Sequence, residues 1–518
     1  MEVLDFAHNS MGLLVSHILF RRRFCFPGQG SVVFQFWFDA LSYHYGGAGF
    51  VYHEISGGEQ TFVYSFNNVF IDHWCAHSCR RLDSGRSSYR NRGVRIDYDG
   101  VLWQKEEVCK FKVKVYICNV NLKYRFMFTR ILRLQEASSE SVFLWGARQT
   151  GKSTLLKMLF PDALIIDLLK SDVYATYQRR PSLLREELMM VADGSGPVII
   201  DEIQKIPALL DEVHWLMVNK NLRFILSGSS ARKLRRSGAN LLGGRAIRTY
   251  LYPFVSAEIP DFDLFKACKN GMIPRHYLIE NPERRLQAYI GDYLQEEIKE
   301  EALVRKLGVF TRFLEVAAFC SGEVLNFSKI ATDCGVSSVT VKEYFSILEE
   351  TLIGHIVPAF RQQKKRRLVQ ASKFYFFDVG IYNHLRHQHK PLPGTAEFGK
   401  SFEHFIIQEL KAWLDYSGSG EELAYWKTAT GLEVDAVVGD ARIAIEIKAT
   451  RNISYTETKG LRAFKEEHPT ATLIAVTLNE RPRKVGPVEV FPAIDFLQRL
   501  WSNKFSPLQK EITEQNRS

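Results

Sequence analysis

From Val142 onward, short apolar runs alternate with segments whose apolar residues recur at helical spacing. The runs 142–144, 163–166, 198–200 and 224–226 predict buried strands. Segments 154–160, 181–192 (Pro181 in its first turn) and 209–218 predict the helices between them. Strands and helices taken in turn imply an α/β fold, a parallel sheet with helices on both faces. Farther along, 282–307 predicts helix, with Tyr289, Ile290, Tyr293 and Leu294 at helical spacing. Segment 326–352 predicts two helices split by Gly335-Val336-Ser337, the second capped by Ser337 or Ser338. A basic turn between strands is expected over 361–377 and a helix over 402–414. Strands over 434–438 and 443–447 are joined by Gly439-Asp440.

The first 126 residues break this pattern. They hold one proline, Pro27, and aromatic runs such as Phe34-Gln35-Phe36-Trp37-Phe38, with neither helical period nor cap signals. Local pattern and composition disagree, which predicts an aromatic-rich β domain or, the preferred reading, a misassigned start or disordered segment ahead of Met127.

Composition narrows the class. The length of 518 residues allows three or four domains, and 46% hydrophobic with 24% charged residues excludes a wholly disordered, collagenous or coiled-coil chain. No run of about 18 uncharged apolar residues occurs, so a cytoplasmic protein with no membrane partner is expected. Net charge is +10, from 68 basic and 58 acidic residues, a mild excess compatible with a polyanion. Cys75 and Cys79, interleaved with His73 and His77, have zinc-like spacing, but no second ligand pair follows at a usual separation.

Gly146-Ala147-Arg148-Gln149-Thr150-Gly151-Lys152-Ser153-Thr154 fits GxxxxGK[ST] at every fixed position and lies between a strand and a helix. Backbone N–H groups of such a loop wrap phosphates, and the helix N-terminus adds a favourable dipole. Lys152 is expected to neutralise the β and γ phosphates of ATP, and Ser153 to hold Mg²⁺. Val198-Ile199-Ile200-Asp201-Glu202 ends an apolar strand in two acids. Asp201 suits Mg²⁺, and Glu202 suits orienting or deprotonating the attacking water. Ser227-Gly228-Ser229-Ser230 ends the next strand, where its hydroxyls suit sensing the γ-phosphate. Arg232, and more so Arg245 after Gly243-Gly244, are candidates for stabilising charge on the transferring phosphoryl group.

Phe143 to Thr154, Ile200-Asp201-Glu202-Ile203-Gln204, Leu226 to Arg232, Leu242-Gly243-Gly244-Arg245 and Pro253-Phe254, and distally Gly431-Leu432-Glu433-Val434-Asp435 and Glu446-Ile447-Lys448, give the chain from Met127 a clear likeness. It resembles prokaryotic AAA-type P-loop ATPases carrying a C-terminal domain of unknown function related to PD-(D/E)xK nucleases. The resemblance implies ATP binding and hydrolysis, and a restriction-endonuclease-like C-terminal α/β domain. Asp435, Glu446 and Lys448 could meet across a hairpin to bind Mg²⁺ and activate hydroxide for phosphodiester cleavage. Glu403 resembles the additional upstream acid of that nuclease fold and would join the metal set. The middle region reads as a helical lid and winged-helix-like unit, its helix–turn–helix suited to a major groove and Lys364, Lys365, Arg366 and Arg367 to phosphates.

The expected divisions are 1–126, the atypical segment; 127–260, the ATPase; 261–390, the lid and winged-helix-like region; 391–506, the nuclease-like domain; and 507–518, a flexible tail. Expected partners are ATP and DNA, with a homo-oligomer as a further expectation. The leading functional expectation is an ATP-dependent enzyme acting on DNA; the rival is an ATP-gated switch whose distal domain binds nucleic acid or protein without cutting.

Overall fold

The computed structural model describes residues 128–505 except 135–136, 138, 192–195, 231, 233, 235–241, 295–306, 363–365 and 389–390, together with strand segments within 1–126. The chain divides into two units, Met1–Phe126 and Met127–Ser518. In the first, the described strands form antiparallel sheets of five and three. The zinc-like cluster around Cys75 and Cys79 lies outside the described residues, as do Lys364 and Lys365.

The second unit opens with a sheet built from β1 (Ser141–Trp145), β2 (Ile165–Asp167), β3 (Val198–Asp201), β4 (Phe224–Gly228) and β5 (Ala246–Tyr250). Its order is β2-β3-β4-β1-β5, and every neighbouring pair is parallel. β1, β3 and β4 are buried along their whole length because helices cover both faces. On one face α1 (Lys152–Leu159) packs Leu155 and Leu156 against Val142, Leu144, Ile199 and Ile225. On the other, α2 (Ser171–Arg179), α3 (Leu183–Leu188) and α4 (Leu209–Asn219) cover Phe143, Ile200 and Leu226. Helix α3 falls short of the expected 181–192. β5 is a half-exposed edge strand whose Arg248 and Thr249 interrupt the apolar run, so the hydrophobic pattern alone does not reveal it.

The next elements are α5 (Leu264–Asn270), α6 (Pro274–Tyr277) and α7 (Glu283–Ala288). The last continues into a π-helical stretch, Tyr289–Leu294, where an unbroken α-helix is expected. Then come α8 (Leu307–Phe319), α9 (Phe327–Cys334) and α10 (Ser338–Glu350). Ser337 is the cap of α10, its Oγ accepting from Thr340 N at 3.1 Å. β6 (Gly354–Val357) and β7 (Lys373–Phe376) form an antiparallel pair, with Val324 bridged to Lys373 on the other side.

The distal part holds α11 (Val379–Leu385), α12 (Ala396–Ser417), β8 (Leu423–Lys427), β9 (Glu433–Val438) and β10 (Ile443–Lys448). It ends with α13 (Lys459–Glu467), β11 (Thr472–Thr477), β12 (Arg483–Val485), β13 (Val488–Pro492) and α14 (Ala493–Trp501). The sheet order is β8-β9-β10-β11-β13-β12, parallel at β10/β11 and β11/β13 and antiparallel elsewhere. Helix α12 packs Phe405, Ile406 and Leu410 into one core with Ile445 and Ile474 of this sheet and Phe313 and Phe345 of the helical region.

Candidate functional site

The P-loop leaves β1 at Trp145, with Gly146 N donating to Gly228 O at 3.2 Å, so β4 sets where the loop begins. Gly151 caps α1 at φ 98°, a left-handed conformation that glycine adopts without steric cost. Lys152, buried, donates to Gly146 O at 2.7 Å and Ala147 O at 3.3 Å, closing the loop on itself. Ser153 Oγ lies 2.6 Å from Asp201 Oδ2, and Ser227 Oγ donates to the other oxygen of Asp201. The hydroxyl and carboxylate that suit Mg²⁺ are thus already side by side, and the ion fits these residues. Glu202, held at φ 60°, accepts from the Gln204 carboxamide, which also donates to Ser229 Oγ at 3.0 Å.

Arg130 is a further part of this site. Its buried guanidinium donates to Thr150 O at 2.7 Å, Tyr252 O at 2.6 Å and Pro253 O at 3.1 Å, and pairs with Glu258 at 2.9 Å. It joins the phosphate loop to the exit of β5 across 122 positions of sequence. No local motif marks such a residue. Arg148 and Gln149 are exposed, and Tyr289 OH reaches Arg148 O at 3.3 Å.

The two candidate arginines part company. Arg232 lies just beyond β4 at the P-loop edge and pairs with Glu350 of α10. Arg245 precedes β5, whose Ala246 stands opposite Ser141 at the start of β1. A strand of this length separates it from the P-loop edge by ~16 Å at about 3.3 Å per residue. It is exposed, with Nη1 3.1 Å from His214 Nε2, and does not reach the phosphate loop of its own chain.

The distal residues do converge. The register Ala436↔Ile445 brings Asp435 on β9 beside Glu446 on β10, and Asp435 Oδ2 accepts from Ile447 N at 2.7 Å. Lys448 Nζ lies 2.7 Å from Glu446 Oε1 and 3.8 Å from Asp435 Oδ2. Glu403, on α12, accepts from Tyr375 OH at 2.8 Å. Burial, then the Asp435 charge, push Glu446 up to about 8 and Glu403 up to about 7. Burial works against the Lys448 ammonium, but Asp435 and Glu446 hold it above the usual lysine value.

Sequence reasoning missed Lys373 here. It sits on β7, almost wholly buried, 2.6 Å from Glu433 and 4.0 Å from Glu403, with Tyr425 under its ammonium. Its one signal is a lysine opening the apolar run Lys373-Phe374-Tyr375-Phe376. With Lys427 also on Glu433, the acids are matched by lysines. Among the described residues, no three His, Cys, Asp or Glu side chains are grouped so that they could hold a metal ion. As the side chains stand, Glu403 faces Lys373 while Asp435 and Glu446 face Lys448, and Glu446 Oε2 is buried with no hydrogen-bond partner among the described residues. In the basic turn, Arg366 is committed to Glu466 and Glu467.

A five-stranded parallel sheet with a phosphate loop and paired acids at its carboxyl edge defines a P-loop nucleotide-binding core. Residues 138–259 match the family model of an AAA domain, which supports a P-loop AAA-type ATPase. Residues 262–391 and 398–496 match models of two domains of unknown function, DUF8612 and DUF4143. Over 270 residues the chain is 24% identical to an uncharacterized protein of Haemophilus influenzae, covering 46% of this chain and 67% of the relative. Over 395 residues it is 24% identical to an uncharacterized protein of Methanocaldococcus jannaschii, covering 65% and 76%. Among the described residues no helix is long and apolar enough to cross a membrane.

Proposed function

We propose that the protein hydrolyses ATP with Mg²⁺ and uses that turnover to act on DNA, or to regulate access to it, through the distal domain. The observation that carries the hydrolytic reading is the Ser153–Asp201 contact at 2.6 Å, with Glu202 next along the same strand tip. On nucleotide binding, Lys152 exchanges its backbone carbonyls for the β and γ phosphates. Mg²⁺, when bound, neutralises charge on the phosphate oxygens; Ser153 and Asp201 would hold it. Glu202 takes a proton from the attacking water, whose oxygen bonds to the γ-phosphorus as the ADP oxygen departs. Arg245, remote from its own phosphate loop, would serve a nucleotide bound by another copy of the chain in a homo-oligomer.

Lys152→Ala is expected to lose most nucleotide affinity, whereas Glu202→Gln should bind ATP normally and turn it over at least about 100-fold more slowly. Equilibrium binding and steady-state turnover separate the two. Normal hydrolysis by Glu202→Gln would remove Glu202 as the base.

A second reading, the ATP-gated binder that does not cut, is favoured by the lysine-matched acids. Lys448 is 40% exposed and stands where a backbone phosphate could meet it. The two readings divide on one measurement, nuclease activity and DNA binding with Mg²⁺ or Mn²⁺ present. Cleavage abolished by Asp435→Ala or Lys448→Ala supports the first. Binding that falls steeply with salt, weakens in Lys448→Ala and yields no product supports the second. Neither binding nor cleavage would point to a protein partner.

A further inference from the structure

The ends of β3 and β4 are cross-linked twice. One link is Ser227 to Asp201; the other runs from Glu202 through the Gln204 carboxamide to Ser229, with Gln204 Nε2 donating to both. Gln204 is 3% exposed, and its Oε1 is buried with no hydrogen-bond partner among the described residues. A buried acceptor left unmatched costs about 1–3 kcal/mol, so a purely structural side chain here would be better apolar. The slot is close-fitting as well. A Cβ at Gly228 would stand 2.4 Å from Gln204 Oε1 and 2.7 Å from Trp145 Cζ3, so glycine makes room for the carboxamide. Glu202 itself sits at φ 60°, a conformation non-glycine residues adopt at a cost of ~1 kcal/mol or more. Its carboxylate is thus held in an uncommon backbone setting by a neighbour two residues away that also grips the tip of β4.

We propose that Gln204 is the positioning residue for ATP hydrolysis, tying the Glu202 carboxylate to the β4 tip so that the base is aligned when nucleotide meets that tip. The proposal rests on the reading of Glu202 as the base. Gln204 acts through the Glu202 carboxylate that its carboxamide holds.

The test uses the full chain with Mg²⁺ and ATP, comparing Gln204→Met, unbranched like glutamine but without donors, in wild-type and Glu202→Gln backgrounds. In the wild-type background kcat should fall about 10- to 100-fold, with KM and ADP affinity changed by less than about twofold. In the Glu202→Gln background the same substitution should cost less than about twofold, because the group it positions is already gone. Equal losses in both backgrounds, lost ADP affinity or an unchanged kcat would each overturn the proposal. Should Gln204→Met not fold, Ser229→Ala releases the other end of the link and is expected to lower kcat in the same background-dependent way; equal loss in both backgrounds overturns the proposal there too. If Glu202→Gln alone hydrolyses ATP at the wild-type rate, it is the underlying reading that fails, and that result is read without any change at Gln204.

Discussion

Glu409 on α12 is buried and accepts from Ser256 N at 2.8 Å, Ser256 Oγ at 2.7 Å and Trp501 Nε1 at 2.6 Å. Burial pushes its carboxyl up to about 7 against those donors, from an ordinary 4.5. The folded chain therefore keeps a proton that the unfolded chain releases, and this contribution to stability is full below the lower value and lost as pH rises through the upper one. Glu409→Gln is neutral throughout. Wild type is expected to lose stability relative to this variant between about pH 4.5 and 7, by at most about 1.4 kcal/mol per pH unit. Urea denaturation of both across that range checks it, and parallel curves would contradict it. Residues of this kind are where sequence reading stops. Lys152, Ser153, Asp201 and Glu202 are legible because phosphate and metal chemistry fixes their types at contiguous positions. Arg130, Lys373 and Glu409 act on partners 20 to 153 positions away, a relation that exists only after folding.

At the scale of elements, hydrophobic period located the strands that are buried on both faces, and side-chain or glycine caps set the ends of several helices. Helix α12 begins six residues before the expected 402 because Thr395 accepts from Phe398 N at 3.2 Å, and it stops where Gly418 turns left-handed. Within the helix expected over 282–307, Tyr289–Leu294 is π-helical, a change that no period in the sequence distinguishes from α. A single cap can also join two elements. Asp378 caps α11 through Gly380 N and Ile381 N, and its other oxygen accepts from Met272 N and Ile273 N beyond α5. Asp378→Ala would leave four backbone donors unmatched in a fully buried place. A loss of more than about 3 kcal/mol is expected, against a smaller loss for Asp378→Asn, which keeps one acceptor. Denaturant midpoints decide between them; equal midpoints for both variants would show that the four contacts carry little.

Across the second unit, the region between the two candidate sites is shared rather than a spacer. β7 lends Lys373 and Tyr375 to the distal cluster, so that cluster is assembled from both sides of the expected boundary at 390. The C-terminal end of α10 faces the ATPase sheet across a cavity of about 410 Å³ lined by Trp145, Gly146, Arg248, Glu350, His355 and Lys411. At this junction Arg232, beyond the tip of β4, is paired with Glu350. If the γ-phosphate calls on Arg232, ATP must draw it from Glu350, and part of the binding free energy is spent on that exchange. ADP, lacking the γ-phosphate, makes no such demand. Glu350→Gln removes the competing charge without shortening the side chain, so ATP affinity is expected to rise about 5- to 10-fold while ADP affinity stays within about twofold. Titration of both nucleotides against wild type and variant measures the difference directly. An equal change for ATP and ADP would mean that Glu350 merely supports the fold of α10, and no change for either would mean that Arg232 does not meet the γ-phosphate.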